Sequence, residues 1–145
     1  MDETVTSWSC EQLSLQVSRW FDLGDFERAA ALFTEDAEFI RPSTYPNLPL
    51  RGRAAIQELG KQLPAGVMSR HVCSNFIVEV QGKDRVVCRS LFTRFGDNRP
   101  EDTRQQPLPI AECLRSVGEY EEHMVRTPEG WRIASRIGRF IFGGI

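Results

Sequence analysis

Apolar side chains recur every three or four positions within residues 9–23, which predicts an amphipathic helix. Ser9 and Gln12 have the spacing of a capping box at its start, and Gly24 is suited to end it. The predicted apolar stripe consists of Leu13, Val17, Trp20 and Phe21.

Three further elements follow before the middle of the chain. Asp25 is placed to cap a second helix over residues 26–36, because the apolar positions there share one face. Residues 37–40 have the composition of a short strand. A proline-rich loop over residues 41–52 leads to a third helix over residues 53–63.

The second half of the chain changes to the pattern of β-strands. Residues 70–81, 85–95, 111–126 and 131–142 are rich in β-branched and aromatic residues, so each segment predicts a strand. The polar, proline-containing residues 96–109 predict a long mobile connection. Helices followed by an antiparallel meander predict an α+β fold.

Composition indicates one ordinary globular domain that spans residues 1–145. Hydrophobic residues make up 41% of the chain and charged residues 26%, and a net charge of -2 offers no basic surface to nucleic acid. No apolar run approaches the roughly 20 residues of a membrane span, and the acidic N-terminus does not resemble a secretory signal. We therefore expect a cytoplasmic protein with no nucleic-acid or membrane partner.

The four cysteines are scattered, and only two histidines accompany them. No metal-ligand cluster or glycine-rich phosphate loop emerges, so the sequence predicts neither a metal site nor a cofactor. In a reducing compartment we expect the cysteines to be unpaired and partly buried.

The strand predicted at residues 70–81 has an unusual polar face. His71, Cys73 and Asn75 alternate on one side of it. That side either points to water or lines a polar space. The opposite, apolar side is predicted to consist of Val72, Phe76, Val78 and Val80.

Four segments together resemble a known superfamily. They read FDLGDFERAAALFTEDAEF, LRGRAAI, RHVCSN and EYEEHMVRTPEGWRIASR, and the resemblance covers nearly the whole chain, from about Glu11 to Arg139. The pattern resembles the nuclear-transport-factor-2-like superfamily, and within it the SnoaL-like and scytalone-dehydratase-like branch. The resemblance implies a cystatin-like α+β fold, a cone-shaped barrel in which a strongly curved antiparallel or mixed sheet wraps around three N-terminal helices and encloses a deep pocket.

The resemblance also implies three catalytic residues. In scytalone dehydratases and lindane dehydrochlorinases, an Asp near the end of the first helix pairs with a His on the first long strand, and the matching positions are Asp22 and His71. In the dehydrochlorinases an Arg on the last strand faces the pocket, and its match is Arg136. Phe21 and Val17 depart from the pattern, since these relatives carry a tyrosine and a lysine there.

These residue types suit general-base chemistry. The Asp22 carboxylate would hold the His71 imidazole in one tautomer and stabilise the imidazolium, and general-base catalysis is worth about 10²–10⁴-fold in rate. Arg136 could stabilise a developing anion, or it could form a salt bridge to Glu119 or Glu121.

Five further side chains are expected to line the pocket. Cys73 and Asn75 share the predicted strand face of His71, and Tyr45 could place a phenol at the pocket mouth. Aromatic residues of the first helix would supply an apolar wall. The predicted substrate-binding residues are Trp20, Phe21, Tyr45, Cys73 and Asn75.

The sequence therefore predicts a small-molecule lyase of the dehydratase kind, with a small apolar or aromatic substrate. Isomerisation or polyketide-type ring closure by the same dyad is an equal alternative, and a non-catalytic ligand-binding or oligomerisation module is a second class. The resemblance implies a homodimer or homotrimer. The apolar residues 140–145 are expected to pack on a neighbour or over the pocket.

Overall fold

The computed structural model describes residues 2–63 and 66–143, which form three α-helices and six strands. The helices are α1 (Glu3–Asp22), α2 (Phe26–Ala31) and α3 (Arg53–Gln62). The strands are β1 (Phe33–Ile40), β2 (Leu50–Arg51), β3 (Met68–Val80), β4 (Arg85–Asp97), β5 (Leu114–Thr127) and β6 (Gly130–Phe142). No described helix is both long enough and apolar enough to cross a membrane.

The six strands form one curved sheet in the order β2-β1-β6-β5-β4-β3. β1 runs parallel to β6, and every other neighbouring pair is antiparallel. The predicted α+β class and cystatin-like arrangement are confirmed, with helices packed on one face of a mixed sheet. The sheet is open rather than closed into a barrel, and β2 and β3 are its edges.

The core lies between the helices and the sheet face that α1 covers, which we call the inner face. Buried apolar side chains come from both layers, and several of them are no more than 1% exposed. These include Val17, Phe33, Ile56, Met124 and Ile133. Burying each such side chain contributes about 1.5–3 kcal/mol, so this layer contact holds α1 against the sheet.

The first helix begins six residues earlier than predicted. Asp2 is the N-cap, because its carboxylate accepts a hydrogen bond from the Thr4 N–H at 2.7 Å. Ser9 is therefore an interior residue, and its hydroxyl donates to the Val5 carbonyl at 2.8 Å instead of capping.

The second helix is shorter than predicted and the first strand longer. Asp25 caps α2 as expected by accepting from the Arg28 N–H. The helix ends at Ala31, however, because the following residues pair with the last strand and Phe33 lies opposite Ile133. Tertiary strand pairing overrides the helical spacing of residues 33–36.

A β-bulge in β3 reverses the alternation of its side chains between the two faces of the sheet. Asn75 has a φ of 56°, and the register with β4 shifts between Ser74 and Ile77. His71 lies on the inner face before the bulge, and Phe76 lies on the inner face after it. The prediction of one continuous alternation is therefore wrong.

The connection between β4 and β5, predicted as mobile, is anchored at its start by Asp97. Two 3₁₀ helices, Glu101–Thr103 and Ile110–Glu112, interrupt it. The Arg99 guanidinium donates to both carboxylate oxygens of Asp97, and Arg104 donates to the Asp97 carbonyl. The hydrogen bonds from Arg99 lower the pKa of Asp97 to about 2.

This anchor predicts an acid-dependent loss of stability. Because the folded-state pKa of Asp97 is lowered, its stabilising effect is complete above an ordinary carboxyl pKa of about 4 and is lost as the pH falls towards about 2. We expect Asp97→Asn to be less stable than the wild type at pH 7, and this difference to shrink across that window. Urea unfolding at several pH values measures it.

The matched control is Asp102→Asn, which removes an exposed carboxylate in the same connection. It should show no such pH-dependent difference. A stability difference between Asp97→Asn and the wild type that is the same at pH 2 and pH 7 would contradict the role of this carboxylate.

Candidate active site

Three polar side chains on the buried face of α1 follow one another at intervals of four residues. This spacing places them in one row along the helix. Each contacts a polar side chain that rises from the inner face of the sheet. The three residues are Ser14, Ser18 and Asp22.

The last of them, Asp22, contacts the predicted base. Its carboxylate lies 2.6 Å from Nδ1 of His71 and also accepts the backbone N–H of His71 at 2.7 Å. The Ser69 hydroxyl donates to the same carboxylate at 3.3 Å. The Asp22 side chain is 4% exposed and the His71 side chain 16%. The structure therefore brings together the two residues that the sequence pairs.

This geometry assigns different roles to the two ring nitrogens of His71. A carboxylate beside Nδ1 favours the tautomer in which Nδ1 carries the hydrogen, so Nε2 is an acceptor. No described residue makes a hydrogen bond to Nε2. The ring centroid lies 5.6 Å from that of Phe92, which limits how far the imidazole can turn.

A groove of about 500 Å³ runs between α1 and the edge strand β3, and His71 and Asp22 form part of its lining. The prediction of a deep pocket is wrong for this space, because the groove is open to solvent, but its exposed lining surface is mostly apolar, as predicted. Its remaining lining residues are Leu15, Gln16, Ser18, Arg19, Arg70, Val72 and Cys73.

Cys73 lies in this groove as predicted, on the same side of β3 as His71. Its thiol is 3.6 Å from the Ser18 hydroxyl oxygen. Burial raises the pKa of Cys73, which keeps the sulfur protonated. The thiol is therefore suited to contact a ligand rather than to attack one.

Arg136 lies behind Ser18, inside the protein rather than in the groove. It is 1% exposed, and its Nη2 donates to the Ser18 hydroxyl oxygen at 2.8 Å. Its guanidinium stacks 4.0 Å from the ring centroid of Tyr120. Its ion-pair partner is Glu122, with Nε 3.7 Å from Oε2.

Two glutamates were predicted as possible ion-pair partners of Arg136. Both of them, Glu119 and Glu121, lie on the outer face of the sheet. Glu119 pairs with Arg139, and Glu121 pairs with Arg89. The predicted salt bridge from Arg136 to Glu119 or Glu121 is therefore wrong. Alternation along β5 places Glu122 on the inner face, where it pairs with Arg136.

The burial of the Glu122–Arg136 pair changes the pKa of its carboxyl group. Burial raises the pKa of Glu122, and this effect is opposed by Arg136 and by a hydrogen bond from the Ser14 hydroxyl to Oε1. Burial likewise raises the pKa of Tyr120 to about 12. Oε2 of Glu122 and both Nε and Nη1 of Arg136 make no hydrogen bond within the described residues.

Two predicted substrate-binding residues lie away from the groove. Asn75 and Tyr45 line a separate cavity of about 610 Å³ on the outer face of the sheet. The bulge turns Asn75 outwards, and the loop before β2 carries Tyr45 to the same side. The prediction that they share a pocket with His71 is wrong.

The two predicted aromatic residues of α1 also lie outside the groove lining. Trp20 stacks under the guanidinium of Arg28, 4.7 Å away. Phe21 packs in the interior against Phe39, with ring centroids 5.6 Å apart. Both contacts belong to the packing of α1 on its neighbours, α2 and β1.

Within the described residues, no three His, Cys, Asp or Glu side chains come together in an arrangement that could hold a metal ion. None of the four cysteines forms a disulfide.

The family model of the SnoaL-like domain matches residues 5–137 of the chain. The chain belongs to the SnoaL-like domain family. No curated protein sequence matches it.

Solved structures share the fold of this SnoaL-like domain at low sequence identity. A candidate scytalone dehydratase from Novosphingobium aromaticivorans is 22% identical, with a TM-score of 0.79 over 97% of this chain and 87% of that one. An NTF2-like protein with a cystatin-like fold from the same organism is 23% identical, with a TM-score of 0.74 over 97% and 86% of the two chains. ActVI-ORFA from Streptomyces coelicolor is 18% identical, with a TM-score of 0.72 over 91% and 95%.

Sequence reasoning missed Ser18 and Glu122 of this SnoaL-like domain. A signal for Ser18 was present, since Ser14, Ser18 and Asp22 repeat every four residues next to the apolar stripe of α1. A signal for Glu122 was its position between Tyr120 and Met124, which share its alternation.

The buried pair predicts an asymmetric response to mutation. Glu122→Gln leaves the buried Arg136 without a counter-charge, so we expect it to lower the free energy of unfolding by about 3–5 kcal/mol. Adding Arg136→Met should recover part of this loss, because no unpaired charge then stays buried. Urea unfolding of the single and double variants measures both effects.

Glu121→Gln is the matched control, because it changes a half-exposed glutamate next in the chain. It should alter the free energy of unfolding by no more than about 0.5 kcal/mol. Equal losses in Glu121→Gln and Glu122→Gln would show that the buried pair does not hold α1.

Proposed function

We propose that this SnoaL-like protein is a cofactor-independent lyase of the dehydratase kind, in which His71 is the general base and Asp22 orients it. The observation that carries the proposal is the 2.6 Å contact between Nδ1 of His71 and Asp22, beside a groove and with Nε2 unpaired among the described residues. An imidazole held in this way is ready to accept a proton at Nε2.

The proposed reaction begins with removal of a proton from a carbon next to an activating group. Nε2 of His71 takes this proton, a carbon–carbon double bond forms, and the bond to a neighbouring hydroxyl group breaks. The departing hydroxide takes the proton back from the imidazolium and leaves as water. Asp22 stabilises the imidazolium between these steps, which lowers the barrier to the first.

Ser18 gives Arg136 an indirect part in this proposal. The Ser18 oxygen accepts hydrogen bonds from Arg136 and from the Cys73 thiol. Its own hydrogen is then free to donate to a substrate oxygen in the groove, and the charge of Arg136 strengthens that donor. Arg136 would stabilise a developing anion through Ser18 rather than by direct contact.

The dyad can be tested on turnover. A panel of small hydroxy-carbonyl compounds is screened for dehydration by the ultraviolet absorbance of the conjugated product. With a compound so found, we expect His71→Ala and Asp22→Asn to lower kcat by about 10²–10⁴-fold, because each removes part of the base. Full turnover in His71→Ala would refute the proposed role.

His123→Ala is the matched control, since it removes the exposed second histidine, and it should keep full turnover. A second measurement needs no substrate. Nitrogen-15 NMR of the wild type should show hydrogen on Nδ1 of His71, and Asp22→Asn should weaken this tautomer preference. An unchanged tautomer in Asp22→Asn would count against the dyad.

We also propose that the protein assembles as a homodimer through the outer face of the sheet. Ile77 is 62% exposed there and lies beside Leu91 and Ile137 in the outer cavity. Acidic and basic side chains alternate around these residues, and such a surface is complementary to a second copy of itself across a two-fold axis. The cover expected from residues 140–145 stays a prediction, and residues 144–145 lie outside the described part of the chain.

The dimer predicts a change in mass on mutation. Ile77→Glu places a charge in the proposed contact, so it should shift the protein from dimer to monomer in light scattering coupled to size-exclusion chromatography. Leu48→Glu is the control, because Leu48 is 72% exposed on a loop. A monomeric wild type, or an unchanged mass in Ile77→Glu, contradicts the proposed interface.

A further inference from the structure

His71, Arg94 and Ser116 lie side by side across three neighbouring strands. His71 is the register partner of Arg94 in β4, and Arg94 is the register partner of Ser116 in β5. Residues directly opposite in antiparallel strands share a face, with Cβ atoms about 4.5–5.5 Å apart. Since His71 contacts Asp22 on α1, all three side chains lie on the inner face.

Each of these three residues has a polar group without a partner. Arg94 makes no hydrogen bond or ion pair with any described residue. Ser116 is 3% exposed, and its hydroxyl oxygen has no hydrogen-bond partner in the described chain. An unpaired buried hydroxyl costs about 1–3 kcal/mol, so such groups in native proteins usually bind something.

Two neighbours in β4 show which way the side chains of Arg94 and His71 extend. The Arg94 guanidinium nitrogens lie 3.6 Å from the point where a Cβ of Gly96 would be, so the guanidinium extends over a residue with no side chain. The His71 ring lies against Phe92, in the opposite direction along the strand. The two side chains therefore extend in opposite directions along the sheet, so a ligand that contacts both has to span the distance between them.

The donors and acceptors of His71, Arg94 and Ser116 indicate which kind of ligand would bind them. Arg94 presents a planar set of donors that matches the two oxygens of a carboxylate, and the Ser116 hydroxyl adds one more donor. His71 presents an acceptor at Nε2. A ligand that satisfies the row carries a carboxylate at one end and the proton to be removed at the other.

We propose that Arg94 and Ser116 form a carboxylate-binding subsite beside His71, and that the substrate is a small organic acid. The proposal rests on the proposed function only for the role of His71, because the binding of an acid to Arg94 needs no catalysis. The subsite sets which compounds bind, whereas the dyad acts on the compound once bound.

Binding of benzoate tests this subsite, with benzamide as the neutral compound of the same shape. In NMR titrations of the full-length protein, benzoate should shift the amide signals of His71, Gly96 and Ser116 in a saturable way. Benzamide should not. Arg94→Gln should weaken benzoate binding by about 10- to 100-fold, which is the loss expected for hydrogen bonds to a charged group.

Arg115→Gln is the matched control, because Arg115 is an exposed arginine next to Ser116 on the other face of β5. It should bind benzoate as the wild type does. Equal weakening in Arg94→Gln and Arg115→Gln would show only general attraction of anions and would overturn the subsite, as would the absence of saturable binding. Ser116→Ala tests the hydroxyl by the same titration and should weaken binding less than Arg94→Gln does.

The two proposals fail separately. If benzoate binds as expected and His71→Ala keeps full turnover, the subsite stands and the base is wrong. If turnover depends on the dyad and benzoate shifts none of the three amides, the subsite is wrong and the base stands.

Discussion

The docking of α1 on the inner face of the sheet is the contact on which the candidate site depends. Apolar side chains supply most of the contact area, but a row of polar residues sets the position of the helix along the sheet. Ser14 donates to Glu122, Ser18 accepts from Arg136, and Asp22 contacts His71. A shift of the helix by one residue would break all three contacts, so Asp22 is held at one place beside β3.

This arrangement places charge where burial is costly. Arg136 and Glu122 are both fully buried, and desolvation of such a pair offsets much of its Coulomb attraction. A well-packed apolar pair would fill the space at lower cost, so the ion pair is not explained by stability alone. Its consequence is a single position of α1 along the sheet, because the ion pair forms hydrogen bonds with α1 only where Ser14 and Ser18 lie beside it. Arg136 also polarises the hydroxyl of Ser18, which lines the groove.

The bulge at Asn75 changes which side chains of β3 lie on the inner face of the sheet. Before it, His71 and Cys73 face α1, and after it the strand turns its apolar side chains to the core. One strand can thus line the groove at one end and close the core at the other. The outward turn of Asn75 follows from the same local change in the backbone.

The sequence by itself determined the α+β class, the cap at Asp25, and the pairing of Asp22 with His71 through a recognised motif. Periodicity and caps are local, so they can be read from neighbouring residues. Only the tertiary structure decided that residues 33–36 form a strand, that Glu122 is the partner of Arg136, and that Arg94 stands beside His71. These facts depend on strand pairing between segments far apart in the chain. Local alternation can indicate the face of a residue such as Glu122, but no local pattern encodes the strand register that brings it to Arg136 or the bulge at Asn75.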